Sequence, residues 1–311
     1  MLWSSTGNSP DASPSCRRDY KANPLTQQVF PRTSLIPLPS LRIIRTLPYI
    51  TRLHFECQVG PGTHAYKRHN KNCSFQVSRD DAKLFGLCDG YGRSGNKVAQ
   101  FISEKLPEIL YQQATPKTIE GVKTALTAAY AQCANLLKAS ALDVTHSGCT
   151  CISVLKIAHT LLCANLGDSR AVVGRKTSGL WSVFQLAWEQ PTVNSARIQM
   201  CRHKDAQARS GHSHIHKPAP GKSLFVATDI VSDPDFEVLT LSDNDKFVLV
   251  GTRCFWEVMD SIEAVRIAGE LYEQSAEAVT GALLQEAQRR WQVRGMLEDD
   301  MTVGLAVIGS R

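Results

Sequence analysis

Hydrophobic and polar positions alternate in a readable way from about residue 57 to the end of the chain. Short apolar runs bounded by turn residues predict strands, and apolar residues at spacings of three and four predict helices. The predicted strands cover residues 82–88, 149–157, 160–165, 171–173, 181–186, 223–228, 247–251 and 301–308. The predicted helices cover residues 96–111, with Asn96 as N-cap, and 119–138, 261–272 and 275–292.

The order of these elements indicates the fold class. Strands come in blocks, helices come in pairs, and a strand closes the chain, so the pattern favours α+β with mainly antiparallel sheets over an alternating βαβ fold. Ala158-His159 has the length of a hairpin turn. The segment Gly167-Asp168-Ser169-Arg170 also reads as a hairpin turn, because Gly and Asp suit its backbone.

The first part of the chain has a different composition. Residues 4–40 are rich in Ser, Pro, Asn and Thr and show no sustained period, which is typical of a segment that cannot bury enough apolar surface to fold. We therefore predict a disordered tail over residues 1–40 and a domain over residues 41–311. Residues 41–55 have the composition of one or two edge strands, which Pro48 would interrupt.

Composition excludes several classes of protein. Of the 311 residues 43% are hydrophobic, which excludes a mainly disordered chain. No apolar run approaches the roughly 18 residues of a membrane span, and the start lacks the pattern of a secretory signal. The ten cysteines include no CxxC pair, which favours free thiols in a reducing compartment. We therefore expect a cytoplasmic or nuclear protein that does not bind membranes.

Three polar clusters follow or precede predicted strands. They are Asp89-Gly90, Gly167-Asp168 and Glu298-Asp299-Asp300. Carboxylates at a sheet edge suit a divalent cation. Taken one at a time, however, each cluster is more often a turn or a solvated loop than a metal site.

Together with their flanking strands, these clusters resemble a known family. The segments LFGLCDGYG (84–92), SGCT (147–150), LCANLGDSRAVV (162–173), SDPD with LSDNDKF (232–247) and DDMTV (299–303) occur in the order of the corresponding motifs of the type 2C metal-dependent Ser/Thr protein phosphatases. The resemblance covers roughly residue 57 to the C-terminus. It implies a β-sandwich of two antiparallel sheets flanked by helices.

The resemblance also implies a chemistry. In that family two Mn²⁺ or Mg²⁺ ions activate a water that attacks phosphorus. Asp89 matches the carboxylate that bridges both metals, Gly90 the residue that lends its carbonyl oxygen, and Asp299 the carboxylate of the closing motif. Asp168 and Glu257 match positions of a further, loosely held metal.

Several positions depart from the family pattern. Arg253 stands where a metal-binding Asp belongs, and a guanidinium has no acceptor atom. Tyr91 replaces the His thought to protonate the leaving group, and a phenol with a pKa near 10 is a poor match at neutral pH. Upstream, Lys67 or Arg68 could meet phosphate, but the family's acidic pair has no counterpart. We therefore expect Asp89, Gly90 and Asp299 to be a vestigial site in which Mn²⁺ or Mg²⁺ binds weakly or is absent.

A basic loop replaces a further family motif between residues 200 and 220. It carries His203, His212, His214 and His216, whose spacing fits no common structural zinc site. The loop favours a solvated or partner-facing surface over zinc. Nucleic acid is not indicated, because aromatic residues do not alternate with the basic ones.

Three functional hypotheses remain open at this stage. The first is a catalytically impaired phosphatase-like domain that acts as a regulatory or scaffold module and binds a protein partner, such as a kinase or a signalling complex. The second is an active Mn²⁺- or Mg²⁺-dependent phosphatase that hydrolyses phosphoserine and phosphothreonine in phosphoproteins. The third is a truncated or misassembled reading frame.

Overall fold

Two antiparallel sheets form the centre of the protein. The computed structural model describes residues 48–60, 70–112, 118–145, 147–189, 233–295 and 299–310, all within the unit Pro37–Arg311. In this part of the chain ten strands pair into two five-stranded sheets. The predicted α+β sandwich is therefore confirmed.

The first sheet has the strand order β1-β10-β9-β6-β7 and the second has the order β2-β3-β4-β5-β8. The strands of the first sheet are β1 (Pro48–Gln58), β6 (Arg170–Thr177), β7 (Leu180–Ala187), β9 (Asp245–Gly251) and β10 (Met301–Ser310). Those of the second sheet are β2 (Asn72–Arg79), β3 (Ala82–Tyr91), β4 (Gly148–Ile157), β5 (Thr160–Leu166) and β8 (Asp235–Thr240).

Helices cover the outer face of each sheet. The helices are α1 (Gly95–Gln112), α2 (Ile119–Ala139), α3 (Arg253–Trp256), α4 (Ser261–Leu271) and α5 (Ala276–Arg294). One apolar cluster lies beneath α1 and α2, a second beneath α4 and α5, and a third between the sheets. This three-layered burial explains why most central strands read as continuous apolar runs instead of alternating ones.

The predicted helices are confirmed, and the caps explain where several of them begin. The Thr118 hydroxyl accepts the Gly121 N–H at 3.1 Å, which fixes the start of α2. The prediction of Asn96 as N-cap is wrong, since α1 already includes Gly95. The carbonyl of Ser94 accepts the Val98 N–H at 3.0 Å, so the helix starts earlier than the apolar pattern indicated.

Two further expectations need correction. The segment Gly167–Ser169 is not a hairpin, because β5 and β6 belong to different sheets and the turn carries the chain across the sandwich. Pro48 begins β1 instead of interrupting it, which suits a residue without an N–H on an edge strand. The predictions also lack strands β2 and β8. The predicted tail and the predicted strand over residues 223–228 lie outside the described residues.

Candidate active site

The side chain of Asn72 joins the two sheets at the end of the sandwich that carries Asp89. Asn72 pairs with Asp89 across β2 and β3. The Asn72 side-chain Nδ2 then crosses to β10 and donates to the carbonyl of Asp300 at 3.2 Å and to Thr302 Oγ1 at 3.0 Å. Asp89 is 3% exposed. Its carboxylate therefore lies at a buried corner where β3 of one sheet meets β10 of the other.

Asp300 organises the backbone on the rim of this corner. Its Oδ1 accepts the Gly60 N–H and its Oδ2 accepts the Lys71 N–H, both at 3.0 Å. The Asp300 N–H donates to Oδ1 of Asp299 at 3.0 Å. Both oxygens of this buried carboxylate thus bind backbone N–H groups, one of Gly60 and one of Lys71. The sequence indicated only that Asp300 was one of three acidic residues, and it gave no sign of this structural role.

Gly90 is required by close approach of the backbone. Its N–H donates to the carbonyl of Lys71 at 3.0 Å. A Cβ at this position would lie 2.2 Å from the carbonyl oxygen of Gly95 and 2.6 Å from that of Lys71. Only glycine lets strand β3 approach the backbone of Gly95 and Lys71 this closely.

Arg253 lies at the same corner, on the side of β9. The Thr252 N–H donates to the Thr302 carbonyl and the Thr302 N–H donates to Thr252 Oγ1, both at 3.0 Å. The thiol of Cys254 is 3.7 Å from the carbonyl oxygen of Asp299, to which it donates. Arg253 is thereby fixed between a residue bonded to β10 and a residue that contacts Asp299.

The guanidinium of Arg253 pairs with Glu257. Arg253 Nη2 donates to Glu257 Oε2 at 3.2 Å, one turn along the chain. The other terminal nitrogen, Nη1, is buried and has no hydrogen-bond partner among the described residues. The arginine side chain is 18% exposed, so much of its charge is removed from water.

Asp168 lies in the turn that precedes β6, and β6 pairs with β9 so that Arg170 is opposite Gly251. Asp168 is 3% exposed, and neither carboxylate oxygen has a hydrogen-bond partner in the part of the chain that the structure describes. Ser169 Oγ lies 3.4 Å from Thr150 Oγ1, and Thr150 pairs with Asp89. The corner therefore gathers Asp89, Asp168, Asp299 and Arg253.

Two other residues complete the description. Tyr91 is 3% exposed and its ring packs in the apolar cluster beneath α1 and α2. Cys57 was missed by the sequence reasoning, and its thiol faces Thr302, Asn70, Asp300 and Asp89. Burial raises the pKa of the Cys57 thiol, and the two carboxylates raise it further. The position of Cys57 on a long edge strand gave no signal of this proximity.

Comparison with known proteins decides the family. The model of the family "Protein phosphatase 2C" matches residues 59–184 and 211–293, which is well over half of the chain. The chain belongs to the protein phosphatase 2C family.

Relatives and solved structures agree with this assignment. The chain is 31% identical over 238 residues to probable protein phosphatase 2C 64 of Oryza sativa subsp. japonica, a match that covers 69% of this chain and 55% of that protein. It is 27% identical over 277 residues to probable protein phosphatase 2C 48 of the same organism, over 74% of this chain and 78% of that protein. The chain thus spans only about half the length of the first of these relatives.

The fold matches that of phosphatase 2C structures. The crystal structure of serine-threonine phosphatase 2C from Toxoplasma gondii superposes with a TM-score of 0.62 at 15% identity, covering 89% of this chain and 98% of that chain. The serine/threonine phosphatase Stp1 from Staphylococcus aureus superposes with a TM-score of 0.60 at 17% identity, covering 89% and 99%. At this level of identity the likeness concerns the fold of the 2C domain.

Members of the phosphatase 2C family use Mn²⁺ or Mg²⁺, so the residues at the corner can be judged against that requirement. The unpartnered carboxylate of Asp168 suits a cation, whereas Arg253 brings a fixed positive charge to the end of the sandwich that carries Asp299. Among the described residues no group of three His, Cys, Asp or Glu side chains is arranged to hold a metal ion. A centre of two divalent ions requires ligands for about four positive charges, and a guanidinium supplies none.

Some predicted features fall outside the described residues. They are Lys67 and Arg68, the four histidines between residues 203 and 216, and Glu298. Within the described residues no helix is long and apolar enough to cross a membrane.

Proposed function

We propose that this chain is a phosphatase 2C domain directed to phosphoproteins, with impaired metal-dependent hydrolysis and a role as a regulatory or scaffold module. The observation that carries the proposal is the guanidinium of Arg253, which pairs with Glu257, has a buried second terminal nitrogen, and precedes the cysteine that contacts Asp299. Its protein partner would belong to phospho-signalling, for example a kinase or a signalling complex.

The positive charge of Arg253 opposes the binding of a divalent ion. Arginine is not deprotonated in proteins and accepts no hydrogen bond, so Arg253 cannot act as a metal ligand. Two unit charges about 4 Å apart interact by about 4 kcal/mol at an effective dielectric constant near 20, and a divalent ion doubles that repulsion. One such interaction is enough to lower the affinity for a divalent ion by several orders of magnitude.

The remaining acidic residues are partly committed to structure. Asp300 is saturated by two backbone N–H groups, and Glu257 is paired with Arg253. Asp89, Asp168 and Asp299 remain as candidate ligands, together with the carbonyl of Gly90. This set supports at most a weakly held ion under the proposal.

An active Mn²⁺- or Mg²⁺-dependent Ser/Thr phosphatase is the second candidate. The comparisons favour it over a pure binding module, because the relatives and structures described above are all named as phosphatases. The retained Asp89, Gly90 and Asp299 and the unpartnered carboxylate of Asp168 also support it. In that case metal ions would supply an activated water for hydrolysis of phosphoserine and phosphothreonine.

Hydrolysis of a phosphothreonine peptide separates the two candidates. The full chain, Asp89→Asn and Arg253→Asp are assayed for phosphate release with Mn²⁺ and with a chelator. The proposal predicts that the wild-type rate equals the Asp89→Asn background, and that Arg253→Asp exceeds both only when Mn²⁺ is present. Mn²⁺-dependent turnover by the wild type that Asp89→Asn removes would establish the second candidate instead.

A further inference from the structure

Five of the ten cysteines gather beneath α1 and α2. Cys73, Cys88 and Cys151 form a row across three adjacent strands, because Cys73 pairs with Cys88 and Cys88 pairs with Cys151. Cys149 lies two residues from Cys151 on the same face, and Cys133 of α2 packs in the same apolar cluster. The sequence showed these cysteines as scattered, and the strand register brings them together.

The thiols of this row contact one another and nearby hydroxyls. The Cys88 thiol lies beside those of Cys149 and Cys151. The Tyr130 hydroxyl donates to Cys151 Sγ at 3.4 Å. On the other side of the row, Ser103 of α1 lies beside Cys73, and its hydroxyl donates to the Gln100 carbonyl at 2.8 Å.

Cys73 differs from the other members in its access to solvent. Cys88, Cys133, Cys149 and Cys151 are all 0% exposed, whereas Cys73 is only partly buried. Cys73 also lies on β2, the edge strand of its sheet. A small reagent in water therefore reaches Cys73 before any other thiol of the cluster.

Burial raises the pKa of the Cys73 thiol, and Ser103 lowers it in part. The Cys73 thiol is therefore protonated at neutral pH, and its reaction with an oxidant is slow there. Because the thiolate is the reactive form, the rate of oxidation rises about tenfold for each unit by which the pH increases, until the pH reaches the pKa.

We propose that Cys73 and Cys88 form a reversible, cross-strand disulfide when the protein meets a hydroperoxide. Directly opposite residues of an antiparallel pair have Cα atoms about 4.5–5.5 Å apart, within the range that a disulfide spans. Both side chains lie on the face that packs against the helices, so their Cβ atoms point the same way. This proposal does not depend on the proposed function.

The chemistry balances in two steps. The Cys73 thiolate attacks one peroxide oxygen, which gives a sulfenic acid and releases the other oxygen as hydroxide or alcohol. The Cys88 sulfur then attacks the Cys73 sulfur and displaces water, so that two thiols lose two hydrogen atoms and the peroxide is reduced. A thiol reductant reverses the bond.

The position of this bond links it to the candidate site. Cys73 follows Asn72 and Cys88 precedes Asp89, and Asn72 and Asp89 are themselves a cross-strand pair. The disulfide would tie β2 to β3 one residue away from the asparagine that connects the sheets. Oxidation would therefore lock the strand pair that supports Asp89.

Mass spectrometry of the oxidised full chain tests the proposal. Cys16→Ser and Cys201→Ser remove the two cysteines outside the described residues, and the protein is treated with hydrogen peroxide and digested without reduction. Trypsin cuts after Lys71, Arg79, Lys83 and Arg93, so Cys73 and Cys88 fall on separate peptides. The expected result is one linked pair of these peptides that is lost on reduction.

Matched variants decide the assignment. Cys73→Ser is expected to abolish the linked pair, while Cys57→Ser, which removes another partly buried thiol, leaves it intact. In Cys88→Ala a sulfenic acid on Cys73 accumulates and is trapped by a cyclic diketone such as dimedone. A link that joins Cys88 to Cys149 or Cys151 while Cys73 stays reduced would overturn the proposal, and so would full retention of both thiols under peroxide.

Discussion

Removing the carboxylate of Asp300 is expected to destabilise the whole domain. Asp300 is 3% exposed, and its two oxygens accept the N–H groups of Gly60 and Lys71, both at 3.0 Å. A hydrogen bond to a charged group contributes about 1.5–3 kcal/mol, and a buried donor left without a partner costs a similar amount. Asp300→Ala should therefore lower the free energy of unfolding by about 4 kcal/mol, a large part of the roughly 5–15 kcal/mol of a typical domain.

Urea unfolding followed by circular dichroism measures this effect. Asp300→Asn keeps one acceptor oxygen, so we expect it to lose about half as much, about 2 kcal/mol. Asp243→Ala, which removes an exposed carboxylate, is the matched control and should change stability by about 0.5 kcal/mol or less. A loss below about 1 kcal/mol for Asp300→Ala would refute the stabilising role assigned to the hydrogen bonds that Asp300 accepts from Gly60 and Lys71.

Three other substitutions test separate features of the fold. Gly90→Ala should lower the free energy of unfolding in urea by about 3 kcal/mol, because its Cβ would lie 2.2 and 2.6 Å from the carbonyl oxygens of Gly95 and Lys71. An unchanged free energy of unfolding would mean that the backbone at these two residues can move away. Gly295→Ala should cost about 1 kcal/mol, because Gly295 ends α5 at φ 62° in open space and only backbone strain opposes the change; an unchanged midpoint would contradict this. Arg289 and Arg290 lower the pKa of Glu286 from 4.5 to about 2, so its stabilising contribution is complete above pH 4.5 and is lost as the pH falls toward 2. The stability difference between wild type and Glu286→Gln should shrink over that range, by no more than about 1 kcal/mol because solvent screens the pair, and a difference that grows on acidification would contradict the assignment.

Much of the fold could be predicted from apolar periodicity. Helices α1 and α2 and strands β3, β4 and β5 agree with their predicted ranges to within a few residues. Their burial is strong enough to leave a clear pattern, since most of these strands are covered on both faces. Strand β8 could not be found in the same way, because five of its six residues are partly or fully exposed and it therefore has no buried apolar run.

The misread turn at Gly167 shows a limit of local patterns. A Gly-Asp pair between two apolar runs has the composition of a hairpin, and composition does not say whether the second run joins the same sheet. Here β6 pairs with β7 and β9 instead of β5. The crossing matters for function, because it brings Asp168 to the corner that holds Asp89 and Arg253.

The candidate site was predictable only in part. Matching motifs identified Asp89, Gly90, Asp168 and Arg253, and the structure brings them to one end of the sandwich. Contacts that depend on tertiary packing left no trace in the sequence. Examples are the two hydrogen bonds that Asp300 accepts from backbone N–H groups and the proximity of Cys57 to Asp300 and Asp89. Another is the row of thiols that the register of β2, β3 and β4 places side by side.

Calorimetric titration of Mn²⁺ into the full chain tests the central claim most directly. Arg253→Asp restores a carboxylate ligand, whereas Arg253→Met removes the positive charge without adding a ligand. Comparing the two variants therefore separates the effect of charge repulsion from the effect of the missing ligand. The account predicts no measurable binding by the wild type, weak binding by Arg253→Met, and the tightest binding by Arg253→Asp. Two-site binding of Mn²⁺ by the wild type would contradict it and would identify the chain as a metal-loaded phosphatase.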